Sequence, residues 1–218
     1  MTTANTISTE EILTKLNLDG FFGDDALRYD LVDGTVFNPV QTRQIYLSTD
    51  LLRGIYLALK EEAGPAWTAI LKNCGRIWGS RVVRNLEREF QYVQQMNPGE
   101  LPVTAFIALI ERYFAAHGWG RAEFDMSLAA SHGIVSMRLR NSLLCSVIED
   151  EDGPVDSLIA GILQGIFSHY SGQPLDCAEI ASSRQGYQAC WFVVSHEDRI
   201  GSLPETGDPE KLFAGLKG

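Results

Sequence analysis

The feature that most constrains the fold is an apolar stripe that recurs every three or four residues between positions 66 and 94. Its members are Trp67, Leu71, Cys74, Trp78, Val82, Leu86, Phe90 and Val93. This spacing predicts one long amphipathic helix. Gly75 and Gly79 lie four residues apart beside the stripe, although glycine costs a helix interior about 1 kcal/mol relative to alanine. We therefore expect close approach by a partner, either another helix or a ligand.

Periodicity along the rest of the chain predicts further helices and a set of antiparallel strands. Helical spacing covers residues 49–62, 102–117 and 155–171, and alternation predicts strands on either side of Gly133, at 174–181 and at 189–195. The order of helices, hairpin, helix and hairpin predicts an α+β fold in which helices pack on an antiparallel sheet.

Three segments follow from this pattern. We predict an N-terminal extension over residues 1–45 with one short helix and a hairpin, a domain over residues 46–195, and a polar, loosely held tail over residues 196–218.

Charge and composition narrow the class of protein. A net charge of −10 and a pI of about 4.8 argue against a general nucleic-acid binder, which needs a basic surface. No signal peptide and no membrane-spanning segment are predicted, so we expect a cytoplasmic protein. The four cysteines, which include Cys74 and Cys145, form no CxxC pair and are expected to be reduced.

Motifs for common enzyme chemistry do not occur. The sequence has no G-x-G-x-x-G after a strand, no G-x-x-x-x-G-K-[ST] and no G-x-S-x-G. The four histidines never pair at ligand spacing. His169, near the end of the helix predicted over 155–171, is placed to ligate the metal of a tetrapyrrole, but a helix C-terminus also favours a cationic histidine by itself.

Aromatic and small residues give two readings of the core. They either fill it, or they line a flat cavity for a planar ligand whose acidic groups meet nearby arginines. For the second reading the candidate ligand-binding residues are Gly75, Trp78, Gly79, Arg81, Gly161, Gly165, His169 and Trp191. The basic residues of the 66–94 helix are equally explained as a solvated face.

Several motifs in order resemble the 4-vinyl reductase domain family. They are the paired-glycine helix "CGRIWGSRV", the strand entry "GWGRAEF", the strand end "LRNSLL" and the small-residue helix "LIAGILQGIFSHYSGQPL". The closing signature of the family, approximately Glu-x-x-Cys-x-x-x-Gly-x-x-x-Cys-x-Phe, reads here as Glu179, Ser182, Gly186, Cys190 and then Trp191-Phe192. The resemblance spans about residues 50–195.

The resemblance implies a fold shared with subunits of vesicle-tethering complexes, which often dimerise through helices, and an apolar pocket for a small ligand. The chain is similar to stand-alone members of cyanobacterial type. We therefore predict non-catalytic binding of a hydrophobic small molecule, a tetrapyrrole such as a chlorophyll precursor, haem or bilin. Its role would be pigment handling or photosynthetic complex assembly, in the cytoplasm or peripheral to a photosynthetic membrane, as a homodimer or with a pigment-protein partner.

Two other functions remain open. The first is a dimerising interaction scaffold without a ligand. The second is a reductase that acts on a tetrapyrrole vinyl group with an external hydride donor, because no cofactor motif is visible.

The same resemblance implies the remains of a zinc site. In metal-binding relatives zinc is held by cysteines and a glutamate. Here Glu179 and Cys190 remain, Ser182 stands in place of the first signature cysteine, and Asp156 lies where the cysteine at the helix start would be. Cys177 is a candidate substitute. With so few good ligands we expect a vestigial site and no zinc.

Overall fold

The protein's computed structural model describes residues 27–38, 41–94, 102–203 and 208–216, and of residues 88–94 it describes the backbone alone. The chain divides into two compact units, residues 1–46 with 86–117 and residues 47–85 with 118–218. The predicted α+β class is confirmed, because helices accompany two antiparallel sheets. The short helix predicted within residues 1–26 lies outside the described residues.

The helices of the described residues are α1 (Thr49–Ala63), α2 (Trp67–Gln94), α3 (Val103–Ala116), α4 (Ala129–His132), α5 (Leu143–Val147), α6 (Ser157–Ser171), α7 (Glu197–Gly201) and α8 (Pro209–Gly215). The strands are β1 (Arg28–Asp30), β2 (Thr35–Phe37), β3 (Arg43–Gln44), β4 (Arg121–Asp125), β5 (Val135–Arg140), β6 (Leu175–Ala181) and β7 (Cys190–His196). Short 3-10 helices cover Gly64–Ala66 and Ser183–Gln185.

The first unit contains the small antiparallel sheet β1-β2-β3 and helix α3. The Asp30 carboxylate accepts hydrogen bonds from the backbone N–H groups of Val32 and Asp33, each at 3.0 Å, and Gly34 adopts a φ of 62° at the end of the turn. This local chemistry agrees with the Asp-Gly hairpin signal in the sequence. Helix α3 buries one face, which includes Phe106, Ile110 and Phe114.

The second unit is built on the antiparallel sheet β4-β5-β7-β6. Phe124 pairs with Met137 and Met137 pairs with Phe192, so these three side chains share one face. The Phe167 ring of α6 lies 5.7 Å from the Phe124 ring, which places α6 on that face. The opposite face carries Val193 and Trp191.

Helices α2 and α6 meet at four glycines. A Cβ atom added to Gly75 would lie 2.1 Å from Leu158 O, and one added to Gly79 would lie 2.2 Å from Ile162 O. From the other helix, Cβ atoms on Gly161 and Gly165 would lie 1.9 Å and 2.3 Å from carbonyl oxygens of α2. The two backbones are therefore in direct contact.

This contact settles the two alternatives that the sequence left open for the glycines. The close partner of each helix is the other helix, and backbone contact leaves no space for a planar ligand at these four positions. The expectation that Gly75, Gly79, Gly161 and Gly165 line a ligand cavity is therefore corrected.

The end of the chain is more ordered than the sequence analysis expected. Where a loosely held tail over 196–218 was predicted, the structure places α7 and α8 against the outer face of the large sheet. Ile200 and Leu216 are buried there, and the Phe213 ring lies 5.1 Å from the Trp191 ring. The apolar residues of these two helices are few and widely spaced, so they give only a weak periodic signal.

Helix α1 holds the segment around α5 in place. The Arg53 guanidinium donates to the carbonyl oxygen of Val147 at 2.8 Å, and the Lys60 ammonium lies 2.8 Å from Asp150 and 2.7 Å from Glu151. These ion pairs are partly exposed, and such pairs each contribute about 0–1 kcal/mol. Their role here is to fix the position of the acidic loop that separates α5 from α6.

Among the described residues, no helix combines the length and the hydropathy needed to cross a membrane.

The glycine contact predicts opposite effects for two glycine-to-alanine substitutions. Gly161→Ala should lower the free energy of unfolding by about 1–3 kcal/mol or more, because its methyl group has no space against α2. Gly54→Ala, in α1 with nothing within 4 Å, should raise it by about 0.5–1 kcal/mol through helix propensity. Urea unfolding followed by circular dichroism measures both. Equal effects at the two positions would contradict the contact.

Candidate functional site

Four potential metal ligands meet in the second unit, at one end of the large sheet. They are Cys145, Asp156, Glu179 and Cys190, and one ligand atom from each lies within 4.8 Å of all the others. In the described part of the chain this is the group of histidine, cysteine and carboxylate side chains that is arranged to hold a metal ion. We call it the Cys-Asp-Glu-Cys cluster.

Four separate elements bring these residues together. Cys190 begins β7, and Glu179 lies opposite Phe192 in the neighbouring strand β6. Asp156 is the N-cap residue of α6, and Cys145 lies in the short helix α5. The cluster therefore depends on the packing of α5 and α6 against the β6–β7 hairpin.

The hairpin turn is shaped by local hydrogen bonds. The Ser182 hydroxyl and the Gln185 side chain form a capping box around the 3-10 helix, and Gly186 then takes a left-handed φ of 87°. The β6–β7 pairing is irregular between Glu179 and Ala181. Ser183 at the turn donates its backbone N–H to the Cys190 sulfur at 3.5 Å.

The buried Asp156 carboxylate is held from two sides. Its Oδ1 accepts a hydrogen bond from the Ser142 hydroxyl at 2.7 Å, and its Oδ2 lies 3.6 Å from the Cys145 sulfur. Asp156 is 0% exposed and Ser142 is 5% exposed. This contact joins the N-cap of α5 to the N-cap of α6.

The two cysteine sulfurs are neighbours. Cys145 Sγ lies 3.3 Å from Cys190 Sγ, which is a contact between free thiols, and 3.6 Å from the Ser182 hydroxyl. Cys190 Sγ is also 3.5 Å from the Ser183 hydroxyl.

The Glu179 carboxylate is half satisfied. Its Oε2 accepts the backbone N–H of Asp156 at 2.8 Å. Its Oε1 is buried and is one of two buried side-chain polar atoms without a partner among the described residues, the other being Trp191 Nε1. A buried carboxylate oxygen without a partner is costly, so this atom needs an explanation.

Burial and crowding shift the pKa values of all four groups. Desolvation raises the pKa of Asp156 to about 7 and raises the pKa of Glu179 well above its usual range. The hydrogen bond between the two thiols lowers the pKa of Cys145 to about 5, because it stabilises the first thiolate. The same hydrogen bond raises the pKa of Cys190, which would be the second to ionise.

The donor set fits zinc. Two sulfurs and two carboxylates are ligands that Zn²⁺ accepts in tetrahedral sites. A sulfur–zinc distance of about 2.3 Å places two sulfurs about 3.8 Å apart in a tetrahedron, and the observed 3.3 Å is close to this value. The partnerless Glu179 Oε1 supplies a free acceptor for a cation. Cys145, Asp156, Glu179 and Cys190 would hold the ion, and its contribution would be a cross-link between their four elements.

The sequence analysis located part of this cluster. Glu179, Cys190 and Asp156 are brought together as the signature implies, but Cys177 is outside the group. Cys177 pairs with Val194, four residues along β7 from Cys190, which is about 13 Å at the rise of a strand. The assignment of Cys177 as a ligand is therefore corrected: its buried thiol is part of the core.

Cys145 is the residue that the sequence analysis missed. It lies 45 positions before Cys190 and in a short helix that the pattern did not reveal. The one available signal was Ser142, an N-cap residue three positions earlier, at the end of the quoted "LRNSLL" motif.

The remaining predicted ligand residues are dispersed. The Trp78 ring lies 5.4 Å from the Trp119 ring, whereas Arg81 is exposed and His169 is half-buried in the last turn of α6. Trp191 lies on the outer sheet face, between the Arg138 guanidinium and Phe213. Trp78 and Trp191 therefore do not share one pocket face.

The Ser142–Asp156 contact predicts a difference between two serines of the same segment. Ser142→Ala should lower the free energy of unfolding by about 1–3 kcal/mol, because it leaves a buried carboxylate oxygen unpaired. Ser146→Ala removes only an exposed hydroxyl that bonds Leu143 O, and should change stability by less than about 0.5 kcal/mol. Thermal and urea unfolding measure the pair, and comparable losses would refute the buried contact.

Comparison with solved structures identifies the fold of the chain. The crystal structure of the phenol-responsive sensory domain of the transcription activator PoxR with phenol matches 99% of this chain and 100% of that chain, with a TM-score of 0.63 and 16% identity. At this identity the match shows a shared fold.

Two further solved structures match less closely. A vinyl-4-reductase family protein from Methanocaldococcus jannaschii matches with a TM-score of 0.49 and 14% identity, over 89% of this chain and 98% of that chain. A trafficking protein particle complex subunit 3 from Naegleria fowleri, covalently bound to palmitic acid, matches with a TM-score of 0.45 and 13% identity, over 67% and 93%.

A comparison with curated proteins finds no match. The model of the 4-vinyl reductase domain family matches residues 135–196, which run from β5 to the end of β7 and contain all four residues of the Cys-Asp-Glu-Cys cluster. The sequence motifs quoted above resemble the same family. Residues 135–196 of this chain are therefore a 4-vinyl reductase domain.

Proposed function

We propose that this chain is a non-catalytic binding module for a small hydrophobic molecule. The observation that carries the proposal is the match along the whole chain to a sensory domain solved with phenol. The 4-vinyl reductase domain over residues 135–196 supports it. The same fold hosts different functions, so the ligand must be identified by binding.

The size of the ligand is the next question. The resemblance to 4-vinyl reductase domains favours a tetrapyrrole, whereas the phenol-bound sensory domain favours a single aromatic ring. The direct contact between α2 and α6 restricts a large planar ligand to another part of the protein. Half-buried Trp78, which contacts Trp119, offers an aromatic surface that either ligand can stack on.

Tetrapyrrole binding would give this protein a role in pigment handling or in assembly of photosynthetic complexes. The protein would then act in the cytoplasm or at the surface of a photosynthetic membrane, as a homodimer or with a pigment-protein partner. We propose the general function, small-molecule binding, as the primary statement and the tetrapyrrole as its specific form.

A ligand titration tests both statements. Isothermal calorimetry with phenol and absorption titration with haem should give saturable binding of at least one. Trp78→Phe should weaken it by about 2- to 10-fold, equivalent to about 0.5–1.5 kcal/mol of stacking. Trp191→Phe is the matched control and should not change it, because Trp191 packs against Phe213 on the outer face of the sheet. If haem binds, His169→Ala should alter its Soret band.

Three results would contradict parts of this proposal. Absence of binding by phenol, haem, a chlorophyll precursor and a bilin, with a stable dimer in sedimentation, would favour the interaction scaffold. Saturable phenol binding without any haem shift would eliminate the tetrapyrrole. Oxidation of NADPH with a vinyl tetrapyrrole would establish a reductase and overturn the non-catalytic assignment.

A further inference from the structure

We propose that Cys145 completes a zinc site that the closing signature alone leaves incomplete. The site would hold one Zn²⁺ ion through Cys145, Asp156, Glu179 and Cys190. The sequence predicts a vestigial site, because it counts only the residues near the hairpin. The inference concerns a structural metal and stands independently of the small-molecule ligand proposed above.

The first observation is the position of the Cys145 thiol. It lies 3.3 Å from Cys190 Sγ, 3.6 Å from Asp156 Oδ2 and 3.6 Å from the Ser182 hydroxyl. Ser182 is the position at which the closing signature has a cysteine. A thiol from α5 has therefore reached the place where a thiol on the hairpin would lie.

The second observation is independent of the cysteines. Glu179 Oε1 is buried without a partner, while Oε2 of the same carboxylate is held by the backbone N–H of Asp156. The carboxylate is thereby fixed with one free oxygen, and it supplies a ligand atom within 4.8 Å of those of the other three groups. A cation bound among the four groups supplies that oxygen with its missing partner.

Nearby basic groups are engaged elsewhere. The Arg184 side chain, two residues after Ser182, donates to the backbone carbonyl oxygens of Glu149 and Glu151 at 2.5 Å and 3.2 Å. Two carboxylates and two thiols thus share one buried volume. Soft sulfur ligands in a tetrahedral set favour zinc over calcium or magnesium, which prefer oxygen ligands in larger numbers.

A metal at this place would join four elements. It would tie α5 and the N-terminus of α6 to β6 and β7, where the described residues otherwise supply the Ser142–Asp156 hydrogen bond and thiol contacts. Because the ion binds the folded arrangement, its removal should lower the melting temperature.

Metal content tests the proposal directly. Protein purified under reducing conditions and loaded with Zn²⁺ should retain about one ion per chain after desalting. Loading with Co²⁺ should give the near-ultraviolet thiolate-to-cobalt charge-transfer band. Cys145→Ser should weaken zinc binding by roughly 100-fold and remove much of the band, whereas Cys177→Ala, a buried thiol outside the cluster, should change neither.

A double variant separates lost ligation from lost folding. In Cys145→Ser with Ser182→Cys, the thiol returns to the hairpin, where the Ser182 oxygen lies 4.0 Å from Cys190 Sγ. This variant should recover zinc retention and the cobalt band. Circular dichroism checks that each variant is folded, and the double variant stays informative if Cys145→Ser alone unfolds.

Several results would overturn the proposal. Wild-type protein that keeps no zinc after loading would do so, as would Cys145→Ser that binds zinc as tightly as wild type. Thiol titration that finds two reactive cysteines in unfolded, non-reduced protein instead of four would show a Cys145–Cys190 disulfide in place of a metal site. Ligand titrations with phenol or haem do not enter these outcomes, so failure of one proposal leaves the other standing.

Discussion

Direct backbone contact between α2 and α6 is the constraint on which the second unit depends. Glycines on both helices remove the side chains that would hold the helices apart, so carbonyl oxygens of each helix lie against the other. Lys72 on α2 then reaches Asp176 in β6 at 2.8 Å, which joins the helix pair to the sheet edge. The depth of α6 in the unit is set by this contact.

The position of α6 determines the chemistry at its N-terminus. Asp156 caps this helix and is fully buried beside Glu179, so two carboxyl groups share a site without solvent. Burying acidic groups together is unfavourable unless something compensates, and here Ser142 compensates only one oxygen. The two thiols that adjoin these carboxyl groups turn an unfavourable cluster into a set of metal ligands.

Long elements could be predicted from the sequence because each carries many residues of one period. The predicted helix over 66–94 agrees with Trp67–Gln94, and the predicted strand over 189–195 agrees with Cys190–His196. Helices α5, α7 and α8 were not predicted, because five to seven residues contain too few apolar positions to reveal a period. Part of the candidate site, Glu179 and Cys190, came from the closing signature.

The sequence by itself determined the α+β class, the long elements and the presence of a hairpin that carries Glu179 and Cys190, because local periodicity and turn chemistry depend on neighbouring residues. Only the tertiary structure decided which use the glycines serve, since a helix partner and a ligand require the same small residues. It also decided which cysteine joins Cys190. Cys177 is nearer along the chain but is displaced by the strand register, whereas Cys145 is brought to 3.3 Å by the packing of α5.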